Sequence, residues 1–197
     1  MTGNNIICFE GEWEFNSQKK DNKFNLNSGA LLQWLKDFHG CSVIHRHVLS
    51  KADLEHYMKH MANSRSFKNH NIIYFSCHGW EHSIALEGED GNIDLKELAE
   101  MAENAKNFFE GKILHFSACY TFADGKAVED FKKKTGARLV CGYTKSVDAM
   151  KSSIADMALF NELMYIKNKF GIITNQGKST FRNFYKSMLD NLGFEAY

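Results

Sequence analysis

The sequence predicts an α/β fold, a three-layer α/β/α sandwich with a mostly parallel central sheet, and three observations carry that prediction. Short β-rich runs alternate with longer helical patterns along the 197-residue chain. Two of the runs, Asn71–Cys77 (NIIYFSC) and Lys112–Ser117 (KILHFS), are apolar stretches without polar alternation, the mark of strands covered on both faces. The segments between strands have room for helical crossovers, which join parallel strands with a right-handed sense.

The elements follow in order. Asn5–Phe9 (NIICF) reads as a first strand. Ser28 is placed as the N-cap of a helix over ALLQWLKDF, whose Leu31, Leu32, Leu35 and Phe38 make an apolar stripe ending at Gly40. Cys41–Val48 alternates apolar and polar residues, as a half-exposed strand does. Ser50 opens a second helix with Leu54, Tyr57, Met58 and Met61 on one face. After Asn71–Cys77, the stretch SIALEGEDGNIDL has two short β-like arms around Glu89-Asp90-Gly91, a tight-turn signal. Asp94 caps a helix reaching to about Phe108, and Lys112–Ser117 leads to Ala118-Cys119. A helix of DGKAVEDFKKK and a strand, ARLVCGYT, come next. The remainder reads as helical over Met150–Lys167 and Ser179–Leu192, with GIIT at 171–174 as a short strand between them. No repeat, low-complexity tract or Gly/Ser linker divides the chain, so residues 1–197 read as one domain.

Composition removes several function classes. Acidic and basic side chains balance at 24 each, so no global field draws the protein to nucleic acid or an anionic membrane. Five cysteines, an odd number without CxxC spacing, argue against a disulfide scaffold or a zinc finger and favour a reducing cytoplasm. The N-terminus lacks the basic and apolar regions of a signal peptide, and nowhere do 18 apolar residues run together.

In open α/β sheets, sites gather beyond the carboxyl ends of the strands. The first buried run delivers His78 to that edge and the second delivers Cys119, 41 residues later. A thiol becomes a competent nucleophile near neutral pH with a base beside it, and histidine is the usual partner. Gly79 lets the backbone approach a substrate carbonyl closely, and the amides of Gly79 and Cys119 are placed to form an oxyanion hole. The opposing reading is that a strand-end Cys is core packing; two reactive residues at equivalent strand ends are far more specific than either alone.

These residues resemble a known superfamily. IIYFSCHGW followed by ILHFSACYT is similar to the caspase-like cysteine peptidases (caspases, metacaspases, legumains, gingipains and bacterial CHAT domains), in which an apolar strand ends in His-Gly and a later one in Ala-Cys. Caspases place the His about 50 residues before the Cys. SIALEGEDGNIDLKELAE resembles the hairpin and helix between the catalytic strands, and ARLVCGYTKSVD the strand lining the S1 pocket, so the likeness covers residues 70–165. It is nearest the CHAT-like branch: Ser117-Ala118-Cys119-Tyr120-Thr121 departs from the caspase pentapeptide, and residues 120–137 leave little room for a processed linker. The resemblance implies a caspase-like fold and a cysteine endopeptidase in which Cys119 attacks the scissile carbonyl and His78 protonates the leaving amine. It implies a protein or peptide substrate, restraint by a regulatory protein partner, an oligomer or a shut pocket, and no metal or organic cofactor.

Further residues carry two readings each. Asp148, just beyond ARLVCGYT, sits where related peptidases place S1 residues and would favour a basic P1 residue; equally, it is a helix N-cap. Asp124 reads as a cap. Trp80 and Glu81 form either a substrate rim or ordinary surface. Cys77 reads as core, as do Cys8 and Cys141. His45 and His47 share a strand face and His56 and His60 a helix face, but neither pair shows a third metal ligand in sequence. Two rivals remain. One is a catalytically idle caspase-like module acting as an adaptor or regulator. The other is a nucleotide-binding α/β domain, for which Phe9-Glu10-Gly11-Glu12 makes a poor phosphate loop.

Overall fold

A computed structural model describes residues 4–11, 27–86, 92–166, 168–174 and 179–197. Strands β1 (Asn5–Glu10), β2 (Val43–His47), β3 (His70–Ser76), β7 (Ile113–Ser117), β8 (Leu139–Tyr143) and β9 (Phe194–Ala196) form one sheet in the order β2-β1-β3-β7-β8-β9. All neighbours are parallel except β8 and β9. A second sheet is a small antiparallel one, β4 (His78–Trp80), β5 (Ser83–Ala85) and β6 (Asn92–Asp94). The expected arms are therefore β5 and β6; the turn expected between them at residues 89–91 lies outside the described residues.

Strand alternation sorts the apolar side chains of the main sheet into two cores. Ile7, Phe9, Ile73, Phe75, Leu114, Phe116 and Val140 pack on α2 (Lys51–Ala62), α3 (Leu95–Asn104) and α4 (Gly125–Thr135). Ile6, Cys8, Ile72, Tyr74, Ile113, Leu139, Cys141 and Tyr143 pack on α1 (Gly29–His39), α5 (Ala149–Tyr165) and the short helices α6 (Gly171–Thr174), α7 (Thr180–Phe184) and α8 (Lys186–Leu192). Consecutive strand residues face opposite layers, so both faces must be apolar, and this is why β3 and β7 read as unbroken runs. The result is the α/β/α sandwich that the alternation predicts.

Several expectations need correction. GIIT is a helical turn, α6, with Ile173 buried in the second core. The helix expected over 179–192 breaks at Tyr185, and the residues after it form β9, which pairs with β8. Phe38 lies outside the core, 67% exposed, while Leu32 and Leu35 are buried. Ser28 precedes α1 without capping it by its side chain. Its N–H and hydroxyl instead donate to Glu10 Oε1, at 2.7 and 3.0 Å. Ser50 does cap α2, in a reciprocal box with Asp53, and Asp94 caps α3.

A carboxylate penetrates the second core, among polar groups of the sheet. Asp156 of α5 is buried and accepts from His115 Nε2 at 2.5 Å, Tyr143 Oη at 2.5 Å and Tyr74 Oη at 2.8 Å. Burial pushes its pKa up, but the charge of His115 and hydrogen bonds from His115, Ser117 and Tyr143 outweigh it, so the carboxyl sits below its ordinary value. A depressed carboxyl contributes stability that is complete above the unfolded-chain value of about 3.9 and is lost as pH falls through the folded value. Asp156→Ala is therefore expected to lower unfolding free energy by about 3–5 kcal/mol in urea titrations at neutral pH. Asp156→Asn is expected to flatten the fall in stability below about pH 4 that the depressed carboxyl predicts for the parent protein.

Candidate active site

The parallel register of β3 and β7 pairs Ser76 with Ser117. His78 and Cys119 each lie two residues beyond that pair, so the chain delivers both to one edge of the sheet. The Cys77 N–H still reaches Ser117 O at 3.4 Å, carrying the pairing one step past the strands. His78 does not end β3, as the sequence suggests, but opens β4, where it pairs with Ala85.

Gly79 brings the two segments together. It is buried in β4, and a Cβ there would fall 2.6 Å from Cys119 O and 2.8 Å from Ala118 Cβ and Thr121 Oγ1. The strand carrying His78 thus rests directly on the turn carrying Cys119. Close approach, rather than a sharp turn, is what requires glycine here. Thr121, also buried, stands between the segments, with Oγ1 3.2 Å from Ser83 O on β5 and 3.5 Å from Cys119 O.

The turn after Cys119 is tight. Tyr120 adopts a positive φ of 57°, a strained conformation for an aromatic residue. It is held there by hydrogen bonds from Tyr120 N to Lys145 O (3.1 Å), Phe122 N to Tyr143 O (3.0 Å) and Ala123 N to Tyr120 O (2.9 Å). Cys119 is half-buried. Its Sγ accepts from Val147 N at 3.3 Å and lies 3.8 Å from Ser146 Oγ. Both come from the loop between β8 and α5, the stretch whose resemblance implies an S1 lining, although nothing in the sequence marks either residue as a partner of the thiol. Thr121 is equally unmarked, since its role depends on β5 arriving from another part of the chain.

The other four cysteines are buried. Burial and the charge of Glu10 push Cys77 up to about 12, and burial leads the causes that raise Cys8, Cys41 and Cys141. Cys119 alone among the five combines partial exposure with an amide donor aimed at its sulfur.

Of the specificity candidates, Asp148 is exposed and caps α5, accepting from Lys151 N at 3.0 Å. Asp124 caps α4 through Lys126 N at 2.9 Å. Trp80 lies on β4 two residues from His78 and is 63% exposed. Glu81 lines a groove with His82, Asp94, Lys96, Asp130 and Lys134, on the side of α3 and α4.

The chain is thus an α/β protein with a histidine and an accessible cysteine delivered to one carboxyl edge of its sheet. It belongs to DUF6642, a family of unknown function whose model matches residues 3–197. No curated protein matches the sequence. Among the described residues, no helix is long and apolar enough to cross a membrane.

Gly79→Ala is expected to push the Cys119 turn away from β4, because two of the three atoms it meets are buried backbone or Cβ atoms. A loss of about 1–3 kcal/mol in urea unfolding and a changed rate of iodoacetamide alkylation at Cys119 would register that shift.

Proposed function

We propose that the protein is a cysteine endopeptidase of the caspase-like type, with His78 and Cys119 as its dyad. The observation that carries the reading is the close seat of Gly79 on the Cys119 carbonyl, which holds the histidine strand against the thiol turn. In the proposed reaction, the Cys119 thiolate adds to the scissile carbonyl while the amides of Gly79 and Cys119 receive the developing oxyanion. Collapse expels the amine, protonated by His78, and leaves an acyl-enzyme that water hydrolyses with His78 as base. The Val147 N–H donates to Sγ and holds the sulfur beside the loop between β8 and α5. Substrates are proteins or peptides, and the cytoplasm is the compartment that four buried free thiols suit.

The test is labelling with thiol-reactive peptide electrophiles and cleavage profiling on a peptide library. Selective modification of Cys119, slowed roughly 100-fold or more in His78→Ala, supports the dyad. Cleavage that persists in Cys119→Ala would remove it. Folded protein that neither labels nor cuts across a broad P1 panel would favour an idle module acting as adaptor or regulator.

Asp148 is proposed to favour Lys or Arg at P1 with the one carboxylate oxygen its helix cap leaves unused. Asp148→Asn keeps the cap, since Asn and Asp cap equally well, and removes only the charge. A fall of roughly tenfold in kcat/KM on basic P1 peptides, with neutral P1 peptides unchanged, is the expected outcome.

A further inference from the structure

His45 and His47 lie on β2, an edge strand whose alternation turns both rings to one face while Arg46 turns away, its guanidinium 5.9 Å from the Tyr57 ring centroid. The parallel register places Cys8 beside His45 and Glu10 beside His47. Glu10 is therefore the third group the two histidines lack in sequence. One ligand atom from each of Glu10, His45 and His47 lies within 4.8 Å of the others, and Glu10 Oε2 already contacts His45 Nε2.

The carboxylate is built into the fold. Glu10 is fully buried, an expensive position for a charge, and His45 beside it is only 27% exposed. Its Oε1 accepts from Ser28 N at 2.7 Å, Ser28 Oγ at 3.0 Å and Ser76 Oγ at 3.4 Å, which turns Oε2 to the histidines. This explains why Ser28 leaves α1 uncapped. Donors behind a ligating carboxylate are the outer shell that orients metal ligands. The His45 ring lies 3.7 Å from where a Cβ on Gly29 would stand, so the start of α1 backs it.

We propose that Glu10, His45 and His47 bind a divalent cation of the Zn2+ class. Two imidazoles and one carboxylate are a three-ligand zinc set with a fourth position open to water, and two nitrogen donors disfavour Ca2+ and Mg2+. A tetrahedral ion needs ligand atoms about 3.3 Å apart, reached by rotating the exposed His47 inward and separating His45 from Glu10. The site sits at the same carboxyl edge as His78 but one strand away, since Glu10 pairs with Ser76. It does not depend on the peptidase reading.

Zn2+ titration by calorimetry, with Co2+ absorption to report ligand type, tests the site on the full chain in Cys119→Ala protein, where zinc cannot bind the candidate nucleophile. One equivalent is expected, with affinity equal to that of the parent protein and cobalt bands of nitrogen–oxygen coordination. His47→Ala, at an exposed position that leaves folding intact, is expected to lose more than about 100-fold in affinity, and Ser28→Ala about tenfold. Binding that vanishes in Cys119→Ala would place the ion on the thiol, and binding unchanged in His47→Ala would place it elsewhere; either result overturns the proposal. Failure of Cys119 labelling would sink the dyad and leave this site standing.

Discussion

The buried carboxylate of Asp156 is the constraint from which the geometry of the edge follows. A lone charge in an apolar layer would cost several kcal/mol, so it persists only where donors surround it. Those donors come from three adjacent strands: Tyr74 on β3, His115 and Ser117 on β7, and Tyr143 on β8. Burial and the negative charge of Asp156 hold both phenols well above their ordinary range, so they remain donors at any ordinary pH. The tyrosine and histidine rings fit the site by stacking as well, with Tyr74 and His115 parallel at 5.7 Å and Phe160 edge-on to each. Asp156 thereby fixes α5 in register over the middle of the sheet. Apolar contact alone would let a helix slide along those strands; a charge with several directional partners does not.

That registration reaches the thiol through the start of the same helix. Asp148 caps α5, Val147 precedes it, and Val147 N–H donates to Cys119 Sγ. On the other side, β8 supplies Tyr143 O and the following loop Lys145 O to hold the strained turn at Tyr120. The cysteine is thus gripped from the α5 side by a loop whose position Asp156 sets, and from the β4 side by the bare backbone of Gly79. A side chain held by rigid elements on two sides needs little reorganisation to react, which is what the proposed nucleophile requires.

The sequence reveals most clearly what depends on local pattern. β3 and β7 are legible because burial on both faces writes an unbroken apolar run, and the caps at Ser50, Asp94, Asp124 and Asp148 because side chain and helix are adjacent in sequence. His78 and Cys119 stand out because both runs stop at a reactive residue. What escapes is long-range. β9 is only three residues, and it is a strand because β8 offers it an edge. Ser28 looks like a cap until Glu10, 18 residues earlier, claims both its donors. Phe38 fits a helical stripe but lies exposed, and it is His39 beside it that turns inward to meet Asn161 Oδ1 of α5 at 3.2 Å. Glu10 joins His45 only through parallel pairing of β1 with β2, a relation no spacing rule discloses.

The polar groups of the second face therefore form one band rather than scattered exceptions. Register runs Glu10, Ser76, Ser117 across β1, β3 and β7, and one step further in Cys8, Tyr74, His115, Cys141 across β1, β3, β7 and β8. The opposite face at the same level is aromatic, with Phe9, Phe75 and Phe116 in contact and the last two stacked at 4.8 Å. A sheet that needed only stability would place apolar residues on both sides, since well-packed apolar groups serve at least as well as buried ion pairs. The polar face is the one from which the ends of β3 and β7 continue to His78 and Cys119. Hydrogen bonds with fixed partners define the relative heights of β1, β3, β7 and α5 more sharply than nonspecific packing can. In this fold that precision is spent at the carboxyl edge, where the thiol turn and the histidine strand meet.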